Sequence, residues 1–435
     1  MNDAPQTPPA AGLPRAPQDR PHGALPERGR AELLVHDLAT LYTCDPSLPG
    51  LGLLHGASVA FRGGRVSFIG EAARAPDADR VIDGRGLIGL PGLVDPHTHA
   101  IWAGSRAVEF EQRLAGRSYS EILEAGGGIL STVRATRAAS RAGLATLGRA
   151  RLDRLLRRGV TTVEVKSGYG LNPETELRML QAAADCAGPL RVIPTFLGAH
   201  TLPAELRGDR AAYVRQIIEE QLPRCAPHAE AIDVYCDRGA FTLDEAVEIL
   251  SAGRARGLRV KAHAEQVAYT GIAEAAAALG AVSVDHLERI DAAGVQALAD
   301  HGTVAVLLPG AQLYLRDSAP PVAELRAAGV PMALGTDLNP GSSPVYDPWA
   351  IGTLACLIQG LTVEEALLGL TRHAGRALGH PELGWLGPGG VGDMALMEPP
   401  PGEPPEVASL FQHLASHRAR GVICQGEALF LSSER

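Results

Sequence analysis

The chain has 435 residues, 46% apolar and 20% charged, enough to bury one large core or a large and a small one. A formal net charge of −9 leaves no basic face for a phosphate backbone and disfavours nucleic acid as a partner. No stretch reaches the roughly 18 apolar residues of a membrane span, and the six cysteines include no Cys-x-x-Cys pair, which points to reduced thiols in the cytoplasm rather than a zinc cluster or a disulfide framework.

Residues 1–30, rich in Pro, Ala and Arg and without a continuous apolar run, read as a disordered tail and not as a signal peptide. Leu33 to Leu41, Ala57 to Ile69 and Arg80 to Ile88 then read as strands, the middle one folding back at Gly63-Gly64, so a small β unit spans residues 31–90. From residue 91 to residue 385 the texture becomes apolar strand, polar turn and helix, repeated. The strands are expected at Gly92 to His97, Thr161 to Lys166, Arg191 to Phe196, Ala231 to Tyr235, Arg259 to His263, Ala281 to Asp285, Thr303 to Leu308 and Pro331 to Gly335. Between them, Leu144, Leu147, Leu152 and Leu155 give a helical apolar stripe, Asn172-Pro173 a helix start, and Thr242 with Glu245 and Thr362 with Glu365 capping boxes. Eight strands alternating with helices predict an α/β fold, a (β/α)8 TIM-like barrel. Gly392 to Met397 and Gly421 to Cys424, within residues 386–435, return as strands to complete a small β-sandwich domain built from both ends of the chain.

In such a barrel all strands end at one mouth, and metal-capable or polar residues recur at those ends. His97 and His99 close the first strand and, two residues apart, leave it by the same face. Lys166 follows the second strand, His200 the third, His263 closes the fifth, Asp285-His286 the sixth, and Asp337 the eighth. His97, His99 and His263 are neutral nitrogen donors and Asp337 an anionic oxygen donor, a set suited to zinc or iron and too rich in imidazole for calcium or magnesium. A metal there lowers the pKa of its water from about 15.7 toward about 7, so hydrolysis is the natural use. Gly126-Gly127-Gly128 lacks the Lys-Ser or Lys-Thr of a phosphate-binding loop and reads as a flexible loop at the barrel mouth.

The run Pro91-Gly92-Leu93-Val94-Asp95-Pro96-His97-Thr98-His99 resembles the amidohydrolase superfamily of metal-dependent barrel hydrolases. Lys166-Ser167-Gly168-Tyr169-Gly170, Phe196-Leu197-Gly198-Ala199-His200, Lys261-Ala262-His263-Ala264-Glu265-Gln266 and Thr336-Asp337-Leu338-Asn339-Pro340-Gly341-Ser342 narrow the resemblance to its branch that opens an imidazolone ring in histidine degradation. The resemblance implies one Zn2+ or Fe3+ per chain held by His97, His99, His263 and Asp337. It also implies hydroxide attack on the ring carbonyl of 4-imidazolone-5-propanoate to give N-formimidoyl-L-glutamate, and a homodimer. Asp337 would take the proton of the water and His286 would polarise the carbonyl. Substrate contacts are expected from Arg106, Tyr169, His200 and Gln266, with Asn339, Gly341 and Ser342 near the carboxylates. Arg106 suits an acidic substrate because a guanidinium pairs bidentately with a carboxylate; a barrel-mouth ion pair is its alternative role.

Three rival readings have discriminators in the sequence. A binuclear cyclic amidase needs a carboxylated lysine from the fourth strand, yet that strand ends in Tyr235-Cys236 and Lys166 lies on the second. Superfamily deaminases carry a proton-shuttling glutamate where this chain has Gln266, and an amide cannot do that work. Glu265, one residue earlier, is expected on the opposite face, which leaves the donor of the leaving nitrogen's proton open between Asp337 and His286. A non-catalytic barrel serving as a binding protein would have no need of an intact ligand set.

Overall fold

The computed structural model describes residues 29–117, 121, 127–415 and 417–431, so the expectations for residues 1–28 and for Gly126 lie outside it. The chain opens with β1 (Ala31–Tyr42), β2 (Leu53–Arg62), β3 (Arg65–Glu71), β4 (Ala78–Asp83) and β5 (Ile88–Pro91). Eight strands follow: β6 (Leu93–Asp95), β7 (Val160–Lys166), β8 (Arg191–Ala199), β9 (Ala231–Cys236), β10 (Arg259–Ala264), β11 (Ser283–His286), β12 (Val304–Leu307) and β13 (Met332–Leu334). The last three are β14 (Met394–Met397), β15 (Ala419–Cys424) and β16 (Glu427–Leu431).

β1 to β5 and β14 to β16 share one mixed sheet, ordered β16-β15-β14-β5-β1-β2-β3, with β4 also paired to β1. Gly63 and Gly64, at φ +56° and +73°, supply the two left-handed positions of the tight turn between β2 and β3. The single strand expected over Arg80 to Ile88 is in fact two. β1 bulges between Val35 and Leu38, so β4 pairs in parallel with its first half and β5 with its second. The resulting branch folds the sheet over Leu33, Val35, Phe61, Ile82, Met394 and Ile423, the core of the small sandwich.

β6 to β13 lie side by side in chain order, each parallel to the next. The seam between first and last strand is laced at the mouth: Thr98 and Leu338 form a parallel bridge, Asp337 N donates to His97 O at 2.9 Å, and His99 N to Leu338 O at 3.0 Å. That lacing carries His97, His99 and Asp337 to one place. Helices surround the barrel and start where the sequence marks them. Asn172 accepts from Thr175 N ahead of Pro173, and both capping boxes form. In the helix Arg141–Leu156, Leu144, Leu152 and Leu155 are buried, whereas Leu147, at the margin of the stripe, is 40% exposed. Among the described residues no helix is long and apolar enough to cross a membrane, and all six cysteines are free.

Candidate active site

Four donor atoms converge at the mouth. His263 Nε2 lies 3.3 Å from His99 Nε2, and Asp337 Oδ1 lies 3.5 Å from His97 Nε2 and 3.6 Å from His99 Nε2. Ligand bonds of about 2.0–2.1 Å in a tetrahedron place donors about 3.3 Å apart, so these separations fit a zinc- or iron-sized ion. His97 Nε2 is buried with no hydrogen-bond partner among the described residues, as a metal-directed lone pair would be. His286 reaches the same point, within ligand distance of His97 and His263.

The protonation states suit the task. Burial, reinforced by Lys166 beside His97 and by His200 beside His99, holds both imidazoles far below the ordinary histidine range, and burial lowers His263 as well. All three are therefore neutral donors. Burial pushes Asp337 up to about 7 in the metal-free site. Burial acts against a charged His286, yet the Glu288 carboxylate, with Asp337 and Asp285 beyond it, outweighs that and raises its pKa.

Three of the donors, His99, His263 and Asp337, line a cavity of about 870 Å3 with His97 buried behind them, and every expected substrate contact lines it: Arg106, Tyr169, His200, Gln266, Asn339, Gly341 and Ser342. His200 stacks on His99 with ring centroids 5.0 Å apart and donates Nδ1–H to Gly168 O at 3.0 Å. Burial lowers its pKa to about 3. Arg106 lines the cavity and is held in its wall by Glu109, at 2.8 Å and 2.6 Å from Oε2, the ion pair expected as its alternative role. Asn339 Oδ1 accepts from Gly341 N and Ser342 N, both at 2.8 Å, and its amide donates to Asp337 O at 2.7 Å. Its side chain thus shapes the loop that carries Asp337. Gly341 sits so close to Arg106 that a Cβ would lie 2.2 Å from Nη1. Glu265 turns away from the cavity: at φ +55° its carboxylate accepts from Thr270 N at 2.5 Å and Ala273 N at 3.2 Å.

Residues 115–430 match the Amidohydrolase family. An imidazolonepropionase of Caulobacter vibrioides is 49% identical over 370 residues, 83% of this chain and 92% of the relative. One of Xanthomonas oryzae pv. oryzae is 46% identical over 84% of this chain and 93% of its own, and one of Shewanella sp. 47% identical over 82% and 90%. The chain belongs to the imidazolonepropionase family. Solved structures add the fold: atrazine chlorohydrolase of Arthrobacter aurescens TC1 complexed with zinc superposes at TM-score 0.69 with 20% identity, covering 92% of this chain and 95% of that one. An adenosine deaminase of Xanthomonas campestris with bound zinc gives TM-score 0.67 at 17% identity, over 92% and 93%.

Beneath the donors, this imidazolonepropionase-family chain carries a buried ionic network that sequence reasoning missed. His97 Nδ1–H donates to Asp285 Oδ2 at 2.6 Å and His263 Nδ1–H to Asp233 Oδ1 at 3.1 Å, which leaves each Nε2 free for the centre. Lys166 Nζ lies 2.6 Å from Asp233 and 2.8 Å from Glu164; Lys261 Nζ donates to Pro96 O at 2.9 Å and stands 3.3 Å from Glu164. Desolvation opposes the Lys166 charge, but Asp233 and Glu164 more than offset it and raise its pKa, so it is a caged ammonium and not an amine free for carboxylation. The signal was in the strands: Glu164 with Lys166, and Lys261 with His263, are charged or polar at i and i+2 inside runs otherwise apolar. Also missed were Glu109, Arg113, Arg207 and Arg238 in the cavity wall.

Proposed function

We propose that this chain hydrolyses the cyclic amide C–N bond of 4-imidazolone-5-propanoate, giving N-formimidoyl-L-glutamate. The observation that carries this reading is the convergence of neutral His97, His99 and His263 with Asp337 beside a cavity whose wall bears Arg106. One zinc or iron ion per chain, held by those four residues, supplies Lewis acidity and a water acidified from about 15.7 toward about 7. Arg106 pairs with the propionate carboxylate and, with Tyr169, His200 and Gln266, orients the ring. Asp337 takes a proton from the attacking water and returns it to the departing ring nitrogen. His286 polarises the carbonyl oxygen and steadies the charge that grows there. The oxygen of water ends in the new carboxylate, the C–N bond breaks, and no redox partner is needed. The six free thiols fit a reducing compartment, and the reading places the enzyme in the cytoplasm.

The test is metal analysis of the purified chain with an assay on freshly generated imidazolone propionate. Loss of substrate without ammonia, at about one metal per chain, is expected from a four-ligand mononuclear site. Ammonia release points to a deaminase instead, and full metal loading without turnover overturns the substrate assignment.

A further inference from the structure

Three of the imidazoles at the barrel mouth stand against a carboxylate on their Nδ1 side. Asp285 holds His97 Nδ1 at 2.6 Å and Asp233 holds His263 Nδ1 at 3.1 Å; Glu288 Oε1 lies 3.9 Å from His286 Nδ1. The last distance is too long for a hydrogen bond. His286 Nδ1 and Glu288 Oε2 are also both buried without a hydrogen-bond partner among the described residues. Native interiors leave few such atoms unmet, and each one asks for an explanation. The backbone at this spot is strained as well: His286 and Leu287 are successive non-glycine residues at φ +86° and +76°. That costly conformation is pinned by Leu287 N donating to Ala264 O at 3.0 Å and Arg289 N to Glu265 O at 2.7 Å. Strain held in place by a neighbouring strand, beside two adjacent side chains that each carry an unmet polar atom, marks a pair built for use and not for stability.

We propose that Glu288 is the positioning residue of His286: its carboxylate accepts a hydrogen bond from Nδ1–H, fixes the ring and holds Nε2–H toward the reacting carbonyl. A side-chain rotation that shortens the gap by about 1 Å completes the hydrogen bond. The inference rests on the reading of His286 given above. No atom is consumed; the proton stays on Nδ1 throughout.

The variants Glu288→Gln, His286→Asn and the double variant test it. Glu288→Gln keeps the shape and removes the charge. It is expected to lower kcat about 10- to 100-fold, with KM within about twofold and with metal content and melting temperature unchanged. The double variant is expected to be no slower than His286→Asn alone, because Glu288 acts through His286. Unchanged kcat in Glu288→Gln, multiplying losses in the double variant, or loss of metal or stability in place of kcat each overturn the proposal. A second measurement is independent of the substrate. In 15N-histidine spectra of the metal-free wild type, the His286 signal, assigned by its absence in His286→Asn, is expected to show a proton on Nδ1. Lack of turnover by the wild type would overturn the substrate reading alone, whereas a proton on Nε2 only would overturn the role of Glu288.

Discussion

Replacing Lys166 by Met removes the cation from a cage of three carboxylates without shortening the side chain much. Lys166 Nζ lies 2.6 Å from Asp233, 2.8 Å from Glu164 and 3.7 Å from Asp285, and none of these side chains has any exposure. Removing one partner of a buried ion pair costs about 3–5 kcal/mol, because the other charge stays buried. Lys261 remains 3.3 Å from Glu164 and 3.7 Å from Asp285, which offsets part of the loss for those two. Asp233 keeps only His263 as an ionic partner among the described residues, so the lower end of that range, about 3 kcal/mol, is expected. The same change loosens the carboxylate that orients His263, and loss of such a supporting partner weakens metal binding about 10- to 100-fold. Denaturant unfolding of the metal-free protein reads the first effect and chelator competition the second. If both are unchanged, the network does not support the donors. If instead the wild type holds two metals and the variant one, Lys166 is a bridging ligand and the mononuclear reading falls.

His263→Ala should lose metal together with activity, whereas His286→Ala should keep metal and lose about two to three orders of magnitude in kcat, the scale of an oxyanion stabiliser; metal loss from the His286 variant would make it a ligand. Arg106→Ala should raise KM more than it lowers kcat, and unchanged kinetics would reduce Arg106 to the partner of Glu109. At the other end of the barrel, the hydrogen bond that His380 Nε2–H donates to Glu230, at 2.9 Å, raises the His380 pKa while Glu230 itself is held down to about 2. Because the folded His380 pKa is raised, its stabilisation is complete below the ordinary histidine value of about 6.5 and is lost as pH rises through the folded pKa. The melting temperature should therefore fall as pH rises above about 6.5, and His380→Asn should flatten that part of the profile; an equal slope in the variant would assign the pH dependence elsewhere.

What could be read in the sequence follows from which physical signals are local. A strand buried on both faces is a short apolar run, so all eight barrel strands were legible, as were helix starts such as Thr242 with Glu245, where one side chain caps the backbone three residues on. The two strands within Arg80 to Ile88 were not separable, because their division is set by a bulge in β1 about 50 residues earlier, and a register shift in one strand leaves no mark in its partner's sequence. The same distinction runs through the site. His97 and His99 declare themselves because a shared face is a property of spacing, whereas the roles of Asp233 and Glu164 depend on which strand lies beside which. In β9, Ala231–Cys236, an aspartate amid apolar neighbours reads as an anomaly; only once β10 is placed beside it and β7 two strands away does Asp233 become the residue that receives Nδ1–H from His263 and the ammonium of Lys166. A charged residue in the middle of a strand that must be buried is therefore a question posed by the sequence, and the barrel's closure is what answers it.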